Sequence, residues 1–270
     1  MRRAAALLFA IQLVCVMQLC GQSLGVGYYD LDGLYDTIPS KFYDDTDYTP
    51  SGRRRWGSDR YQRKIRNSAA VLDSMALPIV GLYGVENEAV VRDIVVASNQ
   101  DYSYIHRTRN AFDGMDFALL YYGDKLFVID VEPLRNMLVV SAVLADDTPL
   151  TIILSRDGDD VRDYLSEGNI DQNELVLILG KLYQNQIDRV GYTNALKDRE
   201  RQGQGNYSTT RGWVMRDRIG VNQKEKILKS GVYIAPWLLA SDMQSALPTF
   251  DKYRYMGGYS KYLPIFTYIF

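Results

Sequence analysis

Four aspartates could supply the chemistry of a metal or acid–base site: Asp30, Asp32, Asp116 and Asp217. Carboxylate oxygens are the ligands that hard divalent cations such as Mg²⁺ prefer in proteins. If the fold brings these side chains together, they form an acidic cluster that could hold such a cation. In the alternative interpretation each carboxylate only accepts hydrogen bonds from neighbouring loops, and the sequence leaves both interpretations open.

Other residue types that carry chemistry are scarce. The only histidine is His106, which we expect at the end of a strand near the surface. Both cysteines, Cys15 and Cys20, fall within the first 22 residues. These 270 residues contain no Walker loop, no dinucleotide-binding fingerprint and no zinc-type cluster of cysteine and histidine. The sequence therefore points away from nucleotide cofactors and structural zinc.

The first residues are typical of a secretory signal peptide. Arg2 and Arg3 form a basic beginning, and Ala4–Leu19 is an apolar segment with two glutamines. The segment is shorter than the about 20 residues that a membrane span requires. Small or polar residues, Gly21–Ser23, follow it, as they do at a cleavage site.

We therefore predict a signal peptide at residues 1–22, one domain at residues 23–270, and export to the periplasm or out of the cell. An uncleaved anchor is the alternative. A lipoprotein anchored through Cys20 is less favoured, because Leu19 stands where a small residue is expected. Cleavage would leave no cysteine, so the mature chain could form no disulfide and would depend on its core for stability.

Patterns of apolar residues predict the elements that must position the aspartates. Apolar residues three and four apart predict helices around Ile65–Ala76 and Val90–Val95, and Pro78 ends the first. Polar stretches at 36–57 and 199–210 are predicted loops. Strands are predicted at Leu24–Tyr29, Ile79–Tyr83, Tyr102–His106, Phe117–Tyr121, Leu126–Val131, Met137–Leu144, Leu150–Leu154, Leu175–Leu179, Val214–Val221, Val232–Ile234 and Ile265–Ile269. This order predicts a layered α/β fold with mixed sheets.

The charge of the chain argues against nucleic acid as the partner. The formal net charge is −2, without the basic excess of nucleic-acid-binding proteins. The run Arg53–Arg55 could contact a phosphate, but a solvated loop with Trp56 packed inward is the ordinary interpretation. Tyrosine is abundant, with 21 residues; tyrosines fill sheet faces as well as binding surfaces.

Six segments resemble bacterial members of the endonuclease/exonuclease/phosphatase superfamily. The closing segment, Gly257–Pro264, reads Gly-Gly-Tyr-Ser-Lys-Tyr-Leu-Pro where the family has Gly-Gly-Tyr-Ser-Asp-His-Leu-Pro. The resemblance covers nearly all of the mature chain, and it depends on the joint order of the segments. The other five are Tyr29–Asp36, Tyr48–Asn67, Ile79–Asn87, Gly114–Tyr121 and Trp213–Ile219.

The resemblance implies a fold and a chemistry. The fold is a four-layer α/β/β/α sandwich, in which two mixed β-sheets pack face to face with helices outside. Active members hydrolyse phosphate esters with a divalent metal, which neutralises the charge that spreads over the phosphoryl group. Their sites use an asparagine, a glutamate, an Asp-x-Asn pair and a histidine that an aspartate orients.

Several positions of that site are degenerate here. Gly84 stands at the metal-binding glutamate and offers no ligand. Lys181 and Tyr183 replace the Asp-x-Asn pair, while Lys261 and Tyr262 replace the closing aspartate and histidine. A protonated lysine has no lone pair for a metal, and a tyrosine with a reference pKa near 10 cannot shuttle protons as histidine does near neutrality.

Three aspartates remain at family positions. Asp30 stands at the asparagine of the first strand and Asp32 at the following glutamate, one methylene shorter. Asp217 matches the aspartate that orients the histidine, but its partner position holds Tyr262. These three are the remnant metal candidates. In the family a histidine also stands at the end of the strand that corresponds to Leu150–Leu154. In this sequence Ser155 and Arg156 stand there instead.

The side chains at the replaced positions could bind a ligand without catalysing its hydrolysis. In one hypothesis the ammonium groups of Lys181 and Lys261 form ion pairs with the remaining carboxylates and replace the charge of the metal. In the other, both lysines are solvated at the rim. The ligand-binding candidates are these two lysines together with the tyrosines expected at the mouth of the old site, Tyr29, Tyr83, Tyr183 and Tyr262.

The interpretation that follows is an exported, catalytically inactive member of the family that acts as a binding or scaffolding module. We expect no cofactor and no catalytic residue intact. Its partner would be a protein, a sugar or a phosphate-bearing ligand at the mouth of the old site, and no membrane span would remain after signal cleavage. The alternative is a weak metal-dependent phosphodiesterase or phosphatase that uses Mg²⁺ or Mn²⁺ at a site rebuilt from the remaining aspartates.

Overall fold

The computed structural model describes residues 23–109, 112–168, 170–171 and 173–270. The predicted signal peptide at 1–22 therefore lies outside the described residues. The helices are α1 (Ser58–Met75), α2 (Glu88–Ala97), α3 (Gly158–Ser166), α4 (Gln184–Arg189) and α5 (Lys197–Arg201). In the described part of the chain, no helix is long and apolar enough to cross a membrane.

Two six-stranded sheets hold most of the strands. The first sheet has the order β13-β16-β1-β2-β4-β3 and the second has the order β5-β6-β7-β8-β12-β9; β10–β11 and β14–β15 are separate hairpins. The strands are β1 (Leu24–Leu34), β2 (Ile79–Val85), β3 (Tyr102–His106), β4 (Asp116–Tyr122), β5 (Leu126–Leu134), β6 (Met137–Leu144), β7 (Pro149–Ser155), β8 (Leu175–Gly180), β9 (Thr193–Asn194), β10 (Tyr207–Thr209), β11 (Gly212–Val214), β12 (Arg218–Val221), β13 (Ile227–Val232), β14 (Phe250–Asp251), β15 (Arg254–Tyr255) and β16 (Ile265–Ile269).

The predicted four-layer sandwich of mixed sheets is confirmed. β1 pairs with β2 in parallel and with β16 antiparallel, and β7 pairs with β8 in parallel. The sheets meet face to face, where β1 and β2 contact β8 and both sheets contribute to one apolar core. Helices α1 and α2 cover the first sheet, and α3 and α4 cover the second over a smaller apolar cluster.

The apolar runs predicted most of these elements. The strands that we predicted at Met137–Leu144 and Ile265–Ile269 have those bounds in the structure. The helix predicted around Ile65 is α1, whose buried side chains recur every three or four residues. It ends where Ala76 adopts a left-handed conformation with φ of 47°, two residues before Pro78.

Three predicted elements were wrong. The predicted strand Val214–Val221 is two strands, because the side chain of Asn206 accepts hydrogen bonds from the backbone at Arg216 and Asp217 and turns the chain there. The predicted loop 199–210 contains the end of α5 and all of β10. The strand predicted at Val232–Ile234 ends at Val232 instead, since β13 is an edge strand whose polar residues gave no apolar run.

Gly180 ends β8 in a conformation that only glycine adopts without strain. Its φ is 143°, and a Cβ there would lie 1.8 Å from the carbonyl oxygen of Ser155 on the neighbouring strand. This close approach fixes where the chain leaves the second sheet and enters the loop that carries Lys181.

We expect Gly180→Ala to lower the free energy of unfolding by about 2 kcal/mol or more, since both the positive φ and the backbone contact oppose a side chain. Chemical denaturation measures the change. Gly123→Ala is the matched control, because a Cβ at this position meets no atom closer than 3.7 Å and φ is not positive. Equal stability of the two variants would contradict the argument.

Candidate functional site

Segments far apart in sequence converge where several strands end. The parallel pairing of β1 with β2 places Asp30 opposite Tyr83. β12 begins directly after Asp217 and pairs with β8, which ends at Gly180. The closing segment reaches the same place, because the hydroxyl group of Ser260 donates a hydrogen bond of 2.6 Å to the carbonyl oxygen of Asp30. The sandwich thus assembles one site from both sheets.

Arg156 contacts Asp30 at the centre of this site. The Nη1 atom of Arg156 lies 3.3 Å from Oδ2 of Asp30, whose side chain is only 3% exposed. The guanidinium group also lies over the ring of Tyr83, 4.0 Å from the ring centroid. Burial raises the pKa of Asp30 to about 6, and the positive charge of Arg156 opposes that rise. A protein cation therefore neutralises the first remaining acid.

Asp217 is tied to an amide. It is 1% exposed, and its Oδ2 accepts a hydrogen bond of 2.6 Å from Nδ2 of Asn206. Among the residues that the structure describes, its other oxygen has no hydrogen-bond partner, and neither has the buried hydroxyl group of Tyr28. Burial raises the pKa of Asp217 to about 7, and the neighbouring charge of Asp30 adds to the rise. The two carboxyl groups therefore interact, as the hypothesis of an acidic cluster requires.

The other two aspartates have different partners. Asp32 lies at the rim, where its Oδ2 is 3.0 Å from Nζ of Lys261. Asp116 is buried on β4 and accepts from the backbone nitrogen of Arg109 at 3.0 Å. Its Oδ2 lies 3.2 Å from Nε2 of His106. The prediction of His106 near the surface was wrong, because this contact holds the ring inside the fold.

The two lysines behave differently from each other. Lys261 forms the ion pair with Asp32, but its side chain is 43% exposed, so it is also a rim residue. Within the described residues, Lys181 has no carboxylate within ion-pair distance. It lies close enough to Asp217 to lower the pKa of that carboxyl group slightly against the effect of burial. The cation that contacts the buried acid is Arg156.

The four tyrosines expected at the mouth do not share it. Tyr29 is buried in the core, and Tyr183 is 58% exposed at the beginning of α4. Tyr262 packs against Tyr207 with ring centroids 5.0 Å apart. Tyr83 lines a cavity of about 930 Å³ together with Arg156, Tyr35, Tyr43, Arg109, Arg135 and Asn136. Of the four, only Tyr83 lines this cavity.

Gly84 allows no side chain without strain. Its φ is 87°, and a Cβ there would lie 3.1 Å from the backbone nitrogen of Gly33 and 3.7 Å from Oδ1 of Asp30. The backbone at Gly84 therefore has a conformation that favours glycine. A longer side chain at this position would require rearrangement of the end of β2.

Sequence comparison decides the family. A model of the endonuclease/exonuclease/phosphatase family matches residues 25–165, which is more than half of the chain. The chain belongs to the endonuclease/exonuclease/phosphatase family. The predicted superfamily is confirmed. No curated protein sequence matches the chain significantly.

Solved structures share the fold of this family member. D. rerio TDP2 humanized by 14 mutations is 14% identical, with a TM-score of 0.59 over 93% of this chain and 100% of that one. A mannosyl-6-phosphatase of Bacteroides thetaiotaomicron is 12% identical, with a TM-score of 0.60 over 92% and 100%. Truncated Caenorhabditis elegans TDP2 is 13% identical, with a TM-score of 0.62 over 94% and 99%. At these identities the likeness shows the fold alone.

The donors present do not fit the divalent metal that the family usually holds. Asp30 is paired with Arg156, Asp32 with Lys261, and Gly84 supplies no atom. Between residues 23 and 270, leaving out the few that the structure does not describe, no three acidic, histidine or cysteine side chains are placed to share an ion. A cation at Asp30 would also meet the repulsion of the guanidinium group.

Sequence reasoning missed two residues of the site, Arg156 and Asn206. Arg156 was noted only as the absence of a histidine after β7. Asn206 was assigned to an exposed loop, although it is fully buried. The neighbouring Gly205 is the sequence feature that could have indicated its burial, because a Cβ there would lie 2.4 Å from the backbone of Val214. Such a close backbone contact produces no periodic pattern in the sequence.

We expect Asp217→Asn to stabilise the protein at pH 8 by at least ~1.4 kcal/mol, the equivalent of one pKa unit. The folded state raises the pKa of this carboxyl group from 3.8 to about 7. The unfolded chain loses that proton first, so stability falls as the pH rises from about 4 to about 7. Urea denaturation across this range measures both the gain and a shallower slope in the variant.

Asp198→Asn is the matched control, because this carboxylate is 85% exposed and pairs with the exposed Arg201. It should leave the pH dependence unchanged. An Asp217→Asn variant that is no more stable than the parent at pH 8 and keeps the same slope would show that the carboxyl group is not strained by burial.

Proposed function

We propose that this protein is an exported, catalytically inactive member of its family that acts as a binding or scaffolding module through the old active-site mouth. The observation that carries the proposal is the guanidinium group of Arg156 against Asp30, beside the empty position of Gly84. Positive charge from the protein stands next to the acid that would otherwise help to hold a metal.

The proton-transfer machinery of the family is replaced as well. Asp217 bonds to Asn206 in place of a histidine. Burial, followed by the charges of Asp30 and Asp217, raises the pKa of Tyr262 above its ordinary value. This phenol therefore stays protonated near neutral pH, and it cannot serve as a general base there.

The cavity beside Arg156 supports a binding role. Aromatic rings line it together with three guanidinium groups, one of them the partly exposed group of Arg156, and Asn136 adds an amide. The carboxyl groups of Asp44 and Asp113 lie there as well, so the cations outnumber the carboxylates. Aromatic walls with a few polar groups suit a sugar or a peptide, and a guanidinium group suits a phosphate or a carboxylate. We therefore favour a sugar or protein ligand that carries an anionic group, and no nucleic acid.

Calorimetric titration with Mg²⁺ and Mn²⁺ tests the inactive state, together with assays on nucleic acid, phospholipid and sugar phosphate. We expect no heat of metal binding and no metal-dependent turnover, in the parent protein and in Asp30→Ala alike. Turnover that requires metal and disappears in Asp30→Ala would overturn the proposal.

Titration with inorganic phosphate and mannose 6-phosphate tests the binding role. We expect Arg156→Gln to weaken the binding of either anion by about tenfold, the effect of losing one charged hydrogen bond. Arg211→Gln, on the exposed β10–β11 hairpin, is the matched control and should bind as the parent does. Equal affinities of the two variants would exclude Arg156 as the anion contact.

A weak metal-dependent phosphodiesterase or phosphatase remains the second candidate. One observation favours it: the charge of Asp30 acts on Asp217, and Oδ1 of Asp217 has no hydrogen-bond partner in the described part of the chain. Such an enzyme would need Mg²⁺ or Mn²⁺ at a site rebuilt from Asp30, Asp32 and Asp217. The turnover assay with Asp30→Ala separates the two candidates.

A further inference from the structure

One face of α1 packs against the β14–β15 hairpin and the beginning of the closing segment. Arg60, Asn67 and Ser74 are seven residues apart and therefore lie in one row along the helix. The guanidinium group of Arg60 lies 4.4 Å from the ring centroid of Tyr255. Nδ2 of Asn67 donates to the carbonyl oxygens of Gly257 and Gly258 at 3.1 and 2.8 Å.

At the end of the same row, the hydroxyl group of Ser74 is hydrogen-bonded to that of Tyr233. The β14–β15 hairpin and the segment 233–237 therefore lie along this row of α1. We call this surface, from the loop at 53–55 to the segment 233–237, the α1 face.

Positive charge accumulates on the α1 face of a chain whose net charge is −2. Burial raises the pKa of Tyr255, and Arg63, Arg60 and Arg66 all lie close enough to oppose the rise. Six cations of this face have no carboxylate within 4 Å among the residues that the structure describes: Arg54, Arg60, Arg63, Arg66, Lys252 and Arg254. Nη1 of Arg54 and Nη1 of Arg60 each donate to a backbone carbonyl oxygen. The other four, Arg63, Arg66, Lys252 and Arg254, are exposed, so their charge is available to an external anion.

Aromatic rings, not carboxylates, orient several of these arginines. The guanidinium group of Arg54 lies 4.7 Å from the ring centroid of Tyr48 and 5.2 Å from that of Tyr253. Arg53 also lies over this ring, 4.3 Å from its centroid, but Asp47 accepts two hydrogen bonds from its guanidinium group, so the charge of Arg53 is paired. Stacking leaves N–H groups at the edge of a guanidinium free to bond phosphate.

Exposed apolar side chains lie at both ends of the α1 face. Tyr253 and Met256 are exposed at the hairpin, and Ile234 and Trp237 are exposed in the segment beside the end of α1. The ring of Trp237 packs on Tyr259, 5.1 Å between centroids, so it is held at the surface. Tryptophan and tyrosine at the surface beside basic residues are typical of contact with the interface of a bilayer.

We propose that the α1 face binds the surface of an anionic phospholipid bilayer. The cations would contact lipid phosphates, while the exposed apolar side chains enter the headgroup region. Nucleic acid is a poorer match, because arginines already stack on Tyr253, which the bases of a single strand would need as a platform. The proposal is independent of the ligand at the old site.

Co-sedimentation with vesicles tests this with the chain from residue 23, because the apolar N-terminal segment would itself enter a bilayer. Vesicles contain either phosphatidylcholine alone or an equal mixture with phosphatidylglycerol. We expect binding to the anionic vesicles alone, weakened by salt. Arg63→Gln/Arg66→Gln/Arg254→Gln should lower the partition coefficient about 100-fold, since each basic residue contributes roughly a factor of five.

The matched control is Lys197→Gln/Lys224→Gln/Lys229→Gln, which removes the same charge from exposed positions around a separate cavity. It should bind almost as the parent does, whereas Tyr253→Ser should bind more weakly. Equal losses in the two triple variants would show that only net charge matters and would overturn the proposal. Binding of a single-stranded oligonucleotide without binding of vesicles would overturn it in favour of nucleic acid.

Discussion

The carboxyl group of Asp30 lies buried within β1 and requires neutralising charge from another segment. In this protein the charge comes from Arg156, which follows a strand of the other sheet. The contact therefore links the two sheets at the site. Gly84 lies beside this contact with a φ of 87°, and a Cβ there would lie 3.7 Å from Oδ1 of Asp30.

A fully buried cation, Lys64, connects the site to the outer helical layer. Nζ of Lys64 donates to the carbonyl oxygens of Leu31 and Tyr259 at 2.6 and 2.7 Å and to the hydroxyl group of Thr249 at 2.7 Å. These three bonds join α1, β1 and the closing segment. Burial lowers the pKa of Lys64 to about 8. Charged side chains of the protein, Lys64 and Arg156, therefore connect the segments that surround the site.

Much of the fold could be predicted from the sequence, because continuous apolar runs and helical spacing report burial directly. The joint resemblance of six segments predicted the sandwich. The contacts of the side chains at the site could not be predicted. Arg156 and Asn206 acquire their partners only when segments 126 and 11 residues apart meet, and no local pattern marks a polar side chain that turns inward.

In this protein Arg156 supplies the positive charge that neutralises Asp30. A double-mutant cycle on unfolding free energies tests it most directly, with Arg156→Met, Asp30→Asn and the double variant measured at pH 8. We expect a favourable coupling free energy of at least ~1 kcal/mol between the two side chains, and added Mg²⁺ should leave it unchanged. Additive effects, or a coupling that appears only when Mg²⁺ is present, would contradict it.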